Sequence, residues 1–91
     1  MQSIEPAELS AYERAVIDFE SGWWLLPGRK NDEIRAQFSI SASSYYRTLQ
    51  LLVERPEAME YDPLTVLRLR RRRDQARRAR VEGRRADPGS R

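Results

Sequence analysis

Apolar residues recur along the first part of the chain with the spacing of an α-helix. One stripe, with a period of about 3.6 residues, holds four of them: Tyr12, Val16, Phe19 and Trp23. Ser10 lies three residues before Glu13, which is the spacing of a capping box, in which each side chain satisfies a backbone donor of the other residue. The pattern predicts a first helix over about residues 11–26, ended by Pro27 and Gly28, with its tryptophans packed in the core.

Two shorter amphipathic segments follow, and the second has a clear start signal. The first predicts a helix over residues 31–38, in which Ile34 and Phe38 are the buried pair. The second predicts a helix over residues 42–55 that begins after the N-cap residue Ser41. Its inward stripe holds Tyr45, Leu49, Leu52 and Val53. Because only Ser39 and Ile40 lie between the end of the first helix and the N-cap residue Ser41, the two helices must meet at a steep angle.

The last helix signal is Asp62 followed by Pro63, an N-cap residue and a favoured first helical residue, after a predicted loop over residues 57–61. We expect this helix to dock on the core over residues 63–69. Beyond Arg70 there is no apolar anchor, and arginines four residues apart repel one another. Residues 70–91 are therefore expected to fray, or to be disordered, until a polyanion neutralises them. The predicted fold is all-α, with three to four helices in a bundle over residues 1–69 and a basic C-terminal helix and tail.

Composition narrows the function classes. The 91 residues are 40% apolar and 34% charged, with neither cysteine nor histidine. These absences exclude disulfides, thiolate nucleophiles, imidazole bases and nearly all transition-metal sites. Carboxylate pairs such as Glu57 and Glu60 are interpreted as a solvated face. We therefore expect a non-enzymatic protein without catalytic residues, cofactor, metal or small-molecule substrate.

The chain carries no pattern of a membrane protein. No apolar run approaches the roughly 18 residues that could span a bilayer, and the N-terminus lacks the basic start and apolar stretch of a signal peptide. The expected location is cytoplasmic, without membrane attachment. All basic residues except Lys30 are arginine, a bias typical of GC-rich coding and so of an actinobacterial source.

The net charge of +3 hides an asymmetry between two parts of the chain. Residues 1–63 hold 6 basic and 11 acidic side chains, a balance of −5, whereas residues 64–91 hold 11 basic and 3 acidic side chains, a balance of +8. The second part is therefore expected to bind a polyanion. The candidate phosphate contacts are Arg68, Arg70, Arg71, Arg72, Arg73, Arg77, Arg78 and Arg80.

The segment over residues 34–47 has the spacing of a helix-turn-helix. Apolar residues that would lock the two helices stand at positions 34, 38, 40 and 45, with a tight turn at Ser39 and a cap at Ser41. Such a unit presents the solvent face of its second helix to the major groove of DNA. The candidate contacts on that face are Ser43, Tyr46, Arg47 and Gln50. Arg47 suits a phosphate or a guanine, and Gln50 suits an adenine. The sequence thus favours a small helix-turn-helix bundle that binds double-stranded DNA.

The sequence also resembles the short actinobacterial helix-turn-helix proteins catalogued as a domain of unknown function. The resemblance covers about residues 10–80 and rests on spaced blocks: Asp18-Phe19-Glu20 with Trp23-Trp24, Phe38-Ser39-Ile40-Ser41-Ala42, Tyr45-Tyr46, Arg55-Pro56-Glu57-Ala58, Asp62-Pro63 and Arg68-Leu69-Arg70-Arg71. Members are regarded as DNA binders, with a nucleoid-associated role. The resemblance implies that this chain binds the chromosome, in the nucleoid, and acts in its organisation or in transcription regulation.

Two other readings stay open. The arginine-rich part could fold on structured RNA and make the protein an RNA-binding adaptor. Alternatively, apolar residues outside the main stripes, Ile17, Trp24 and Leu51, could dock on the transcription machinery. A homodimer is plausible because many helix-turn-helix proteins bind DNA as dimers and the chain is rich in apolar residues near Trp24–Leu26.

Overall fold

The computed structural model describes residues 8–86, and the side chains of residues 8–83. Five α-helices and one short 3-10 turn follow one another along this part of the chain, which contains no strand: α1 (Ala11–Glu20), the 3-10 turn (Trp23–Leu25), α2 (Lys30–Phe38), α3 (Ala42–Leu52), α4 (Pro56–Tyr61) and α5 (Pro63–Ala86). The prediction of an all-α fold is confirmed, and the helices form a small bundle. Of the predicted tail over residues 86–91, Ala86 belongs to α5, and residues 87–91 lie outside the described residues.

Helix α1 begins where the sequence predicts and ends earlier. The Ser10 hydroxyl accepts a hydrogen bond from the Glu13 amide at 3.0 Å, and the Ser10 amide donates to the Glu13 carboxylate at 2.8 Å. The helix ends at Glu20, so the predicted extension to residue 26 is wrong. Ser21 caps it, with its hydroxyl donating to the Asp18 carbonyl at 2.6 Å. Serine and glycine at positions 21 and 22 favour this break because both have low helix propensity.

The core lies where α1 crosses α2 and α3 and is closed by α4 and the first turns of α5. Its buried apolar side chains are Leu9, Val16, Ile17, Phe19, Ile34, Tyr45, Leu52, Val53, Ala58 and Val66. The rings of Phe19, Phe38 and Tyr45 meet at centroid distances of 5.4–5.8 Å, a spacing that favours edge and tilted aromatic packing. Three helices therefore share one aromatic centre.

Two apolar residues do not lie where the sequence predicts. Ile17 is only 1% exposed and belongs to the core, so it cannot contribute to a docking surface. Trp23 packs against the core as expected, but Trp24 is 52% exposed because the chain leaves the helix before it. The end of α1 at Glu20 thus places the two tryptophans in different environments.

Helix α4 replaces the predicted loop over residues 57–61. The chain leaves α3 at Leu52 rather than Arg55, becomes extended at Arg55, and begins α4 with Pro56 at its first position. Ala58 of α4 is fully buried against the core. Pro56 thus begins α4, since proline has the helical φ angle and the first helical position needs no backbone donor. The bundle consequently has five helices rather than three to four.

Helix α5 runs as one element through Ala86, so the expected fraying beyond residue 70 is wrong within the described residues. Its 24 residues correspond to a length of about 36 Å. The anchors that the sequence did not reveal are polar: Arg70 donates to the Val53 carbonyl and Arg73 pairs with Glu54, both beyond the last buried apolar residue of the helix. Arginine and alanine also have high helix propensity, which supports the outer turns.

Candidate nucleic-acid interface

Helices α2 and α3 form the predicted helix-turn-helix unit. Ser39 adopts the left-handed conformation, with φ 58°, and its amide donates to the Arg35 carbonyl at the end of α2. Ser41 caps α3 by accepting a hydrogen bond from the Ser44 amide at 3.1 Å. Ile34 and Tyr45 are fully buried between the helices, and Phe38 and Ile40 pack beside them. Ser39 thus adopts a left-handed turn conformation that glycine would adopt with less strain.

The four predicted DNA contacts on α3 differ in their exposure to solvent. Ser43, Arg47 and Gln50 are exposed, as the periodicity predicts. Tyr46 is partly buried: its hydroxyl donates to the Asn31 side chain at 3.3 Å, and Lys30 Nζ lies 5.4 Å from its ring centroid. Tyr46 therefore joins α3 to α2, and only part of its ring faces solvent.

A buried carboxylate holds the unit against α1, and the sequence analysis missed it. Glu20 is fully buried; its two carboxylate oxygens accept hydrogen bonds from Tyr45 at 2.6 Å and Lys30 at 3.1 Å. Its backbone carbonyl accepts a hydrogen bond from Arg68 of α5. One residue of α1 thus contacts α2, α3 and α5. The available signal was an acidic residue four positions after Val16, on the inward stripe of α1.

The ionisation of the neighbouring tyrosines follows from this burial. Burial raises the pKa of Tyr45 far above its usual range, and the hydrogen bond to Glu20 adds to the effect. Burial also raises the pKa of Tyr46. At neutral pH both hydroxyls therefore remain donors, and Tyr45 stabilises the buried Glu20 carboxylate.

The candidate arginines of α5 fall into two groups, and the first is held by contacts within the protein. Arg68 donates to the Glu20 carbonyl and stacks over the Trp24 ring at 4.9 Å from its centroid. Arg70 donates to the Val53 carbonyl. The third member, Arg73, pairs with the Glu54 carboxylate and with Asp74 at 3.2 Å.

The second group is exposed and holds Arg71, Arg72, Arg77, Arg78 and Arg80. Within the described part of the chain, none of these five forms an ion pair with a carboxylate. Five of the eight predicted phosphate contacts are therefore open to a ligand in the free protein, whereas three already have partners.

A groove separates α3 from α5 beside the exposed face of α3 that holds Ser43, Arg47 and Gln50. Its outer part has a cavity volume of about 320 Å³ and is lined by Gln50, Glu54, Arg73, Ala76, Arg77 and Arg80. Its inner part, of about 230 Å³, is more apolar and is lined by Tyr46, Leu49, Gln50, Val53, Leu69 and Arg73. The groove is therefore apolar where it lies nearer the core and basic further along α5.

The acidic side chains of residues 8–83 do not cluster into a metal site. No group of three or more acidic side chains among them could hold a metal ion. Glu57 and Glu60 line the same surface depression, which is open to solvent, and Glu57 pairs with Arg55 at 3.4 Å. None of the described helices is both long enough and apolar enough to cross a membrane.

Comparison with known proteins identifies the family. A family model described as "Protein of unknown function (DUF3263)" matches residues 8–81. The chain belongs to this family. The match begins before α1 and continues to Val81, so the DUF3263 domain includes the arginines of α5 up to Arg80 as well as the bundle. No curated protein and no solved structure matches the chain.

Proposed function

We propose that this DUF3263 protein is a non-enzymatic DNA-binding protein in which α3 enters the major groove and the exposed arginines of α5 contact phosphates. The observation that carries the proposal is the placement of five arginines without carboxylate partners, among the described residues, on a helix beside the second helix of a helix-turn-helix unit. This excess of positive charge is more than a solvated helix surface needs. It would attract a polyanion such as DNA.

Helix α3 supplies the sequence-reading part of the proposal. Arg47 and Gln50 are exposed and lie three residues apart, so they project from neighbouring positions of one helix face. Their side chains suit guanine and adenine edges, respectively. Ser43 precedes Arg47 by one turn on the same face and suits a phosphate or a base edge. The hydrogen bond from Tyr45 to the buried Glu20 carboxylate fixes α3 against α1, and this keeps the exposed face of α3 in one orientation.

Helix α5 supplies most of the affinity, since phosphate contacts release condensed counterions. Five exposed arginines correspond to a slope of about −4 to −5 in a plot of log K against log salt, at roughly 0.9 per phosphate. Sequence counting alone gives about six to eight contacts and a slope of roughly −5 to −7. The structure lowers the expected value because Arg68, Arg70 and Arg73 have partners within the protein.

In the cell, this function implies a cytoplasmic protein located at the nucleoid, acting in chromosome organisation or transcription regulation, in an actinobacterial source. A homodimer on two half-sites is part of the proposal. The segment that favours self-association is the turn after α1, where Trp24 and Leu25 are exposed and Leu26 is partly exposed. If the protein acted instead as an interaction module, a docking protein would bind the two predicted residues that are exposed, Trp24 in this turn and Leu51 on α3.

The decisive experiment is a fluorescence-anisotropy titration of labelled random duplex DNA at several salt concentrations. We expect binding with a slope of about −4 to −5, and a slope reduced by about 2 in the variant R77Q/R78Q. The matched control is R29Q/R35Q, which removes two exposed arginines of the α2 region, with the same change in net charge. A wild-type slope shallower than about −2 would contradict the role of α5.

Two further measurements test the reading helix and the nature of the nucleic acid. R47A/Q50A is expected to retain binding to random duplexes but to lose discrimination between a selected and a random sequence. Competition with hairpin RNA at equal salt separates DNA binding from the adaptor alternative. Preferential binding of the RNA would replace the DNA proposal with an RNA-binding function.

A further inference from the structure

The groove between α3 and α5 contains a carboxylate at the point where arginines from α5 converge. Glu54 follows the C-cap residue of α3, and its 60% exposed side chain pairs with Arg73 across the groove. Arg73 also contacts Asp74 of its own helix at 3.2 Å. Arg73 therefore contacts two carboxylates in the free protein, although it lies beside the exposed face of α3.

The remaining charges of the groove are not balanced. Arg77 and Arg80 line the same outer part as Arg73 and have no carboxylate partner among the described residues. Three guanidinium groups thus face one Glu54 carboxylate across the groove. An anion with more charge and more acceptor oxygens than a carboxylate would satisfy these donors better, and a chain of phosphodiesters has both properties.

The shape of the groove also fits one strand of a nucleic acid. Its inner part, nearer the core, is lined by apolar side chains that include Leu49, Val53 and Leu69, and its outer part, further along α5, is lined by arginines. A sugar–phosphate strand can offer apolar sugar faces to the first part and charged phosphates to the second. When α3 lies in a major groove, one of the two strands that border that groove passes along each flank of α3, and one of these flanks faces α5.

We propose that the α3–α5 groove is the binding site for one sugar–phosphate strand of duplex DNA, and that Glu54 occupies the place of a phosphate on Arg73 in the free protein. This inference rests on the proposed function and adds a site and an internal competitor to it. In wild type, Arg73 stays largely with Glu54 and contacts a phosphate oxygen only when it releases this carboxylate, whose side chain, already exposed, then turns to solvent. Glu54 thereby lowers the affinity for DNA.

A purely structural role of the Glu54–Arg73 pair predicts the opposite result. If the pair served only to hold α5 against α3, its removal would weaken DNA binding or leave it unchanged, because exposed ion pairs contribute little to stability. A competing carboxylate predicts tighter binding after the same substitution. The sign of the change in Kd therefore separates the two roles.

The test is the Kd for a random DNA duplex across a salt series for wild type and E54Q. Gain of one phosphate contact corresponds to a slope steeper by about 0.9 and, at about 0.1 M salt, to binding tighter by about three- to tenfold. The matched control E60Q removes the same charge from an exposed position on α4, outside the groove, and is expected to change Kd by less than about twofold at this salt. In the R73Q background, E54Q should lose most of its effect, because the freed guanidinium is absent.

The possible outcomes separate a failure of the groove assignment from a failure of the proposed function on which it rests. If wild type, E54Q and E60Q all fail to bind the duplex, the proposed function and the site fail together. If all three bind with the same Kd and slope, DNA binding stands and the groove assignment is overturned. Equal gains in E54Q and E60Q would likewise overturn it, since the effect would then be one of net charge. Circular dichroism of E54Q checks that its helix content equals that of wild type.

Discussion

Replacing Tyr45 by phenylalanine removes one oxygen atom from the centre of the fold. The hydroxyl donates to the Glu20 carboxylate at 2.6 Å, and both side chains are fully buried. Without it, that carboxylate oxygen loses its donor in a site that water does not reach, while Lys30 continues to hold the other oxygen at 3.1 Å. A hydrogen bond to a charged group contributes about 1.5–3 kcal/mol.

This loss is large for so small a protein. At about 0.05–0.15 kcal/mol per residue, the free energy of unfolding of the 79 residues 8–86 is on the order of 4–12 kcal/mol. We therefore expect Y45F to lower the free energy of unfolding by about 1.5–3 kcal/mol and the Tm by on the order of 10 °C. The aromatic contacts with Phe19 and Phe38 should persist, because the ring itself is retained.

The assay is urea unfolding followed by circular dichroism, with Y61F as the matched control. The Tyr61 hydroxyl also donates to a carboxylate, that of Asp18 at 2.9 Å, but on the exposed surface. Its removal is expected to change the free energy of unfolding by less than about 0.5 kcal/mol. If Y45F and Y61F were equally stable, the buried carboxylate would not hold α1 and α3 together, and the reasoning would be wrong.

Three further predictions follow from the caps, the turn and the buried tyrosine. Because burial raises the pKa of Tyr45, the unfolded chain loses this proton first. The contribution of Tyr45 to stability should therefore be constant below pH 10.0, the usual tyrosine value, and fall as pH rises above it, with a weaker fall of total stability in Y45F, measured by urea unfolding. The hydrogen bond from the Ser10 amide, together with the nearby Arg55, lowers the pKa of Glu13 below the usual 4.5. The ionised Glu13 carboxylate therefore contributes its full stabilisation above pH 4.5, and this stabilisation is lost as pH falls through the lowered pKa. E13Q should lower the free energy of unfolding by about 1 kcal/mol at neutral pH and by little in acid, in the same assay. Finally, S39G should raise the free energy of unfolding by about 0.5–1 kcal/mol, because glycine accepts the left-handed φ without steric strain, whereas S43G within α3 should lower it in chemical denaturation.

Local patterns predicted the elements whose cause is local. The capping box at Ser10, the cap at Ser41 and the Asp62-Pro63 start each place a helix beginning within one residue of the observed one. Apolar periodicity likewise predicted the exposure of Arg47 and Gln50, since a helical repeat assigns faces without knowledge of the neighbours. The helix-turn-helix unit could therefore be found from spacing alone.

Helix ends and lengths were less predictable where distant parts of the chain decide them. Helix α4 has Pro56 as a local start signal, but its six residues are too few for a stable helix without the packing of Ala58 into the core. Helix α5 remains regular past residue 70 because Arg70 contacts Val53, a residue 17 positions earlier in the chain. Neither contact has a signature in the segment that it stabilises.

The sequence by itself determined the all-α class, the starts of the principal helices, the excess of arginine near the C-terminus and the face of α3 that is free. The tertiary structure alone decided which charged groups are used internally. Glu20 and Tyr45 are 25 residues apart, Glu20 and Arg68 are 48 apart, and Glu54 and Arg73 are 19 apart. Helix periodicity acts over three or four residues, whereas a carboxylate and a guanidinium meet only after the bundle has folded, so the division of the arginines between structural contacts and open positions could not be predicted from their order in the chain.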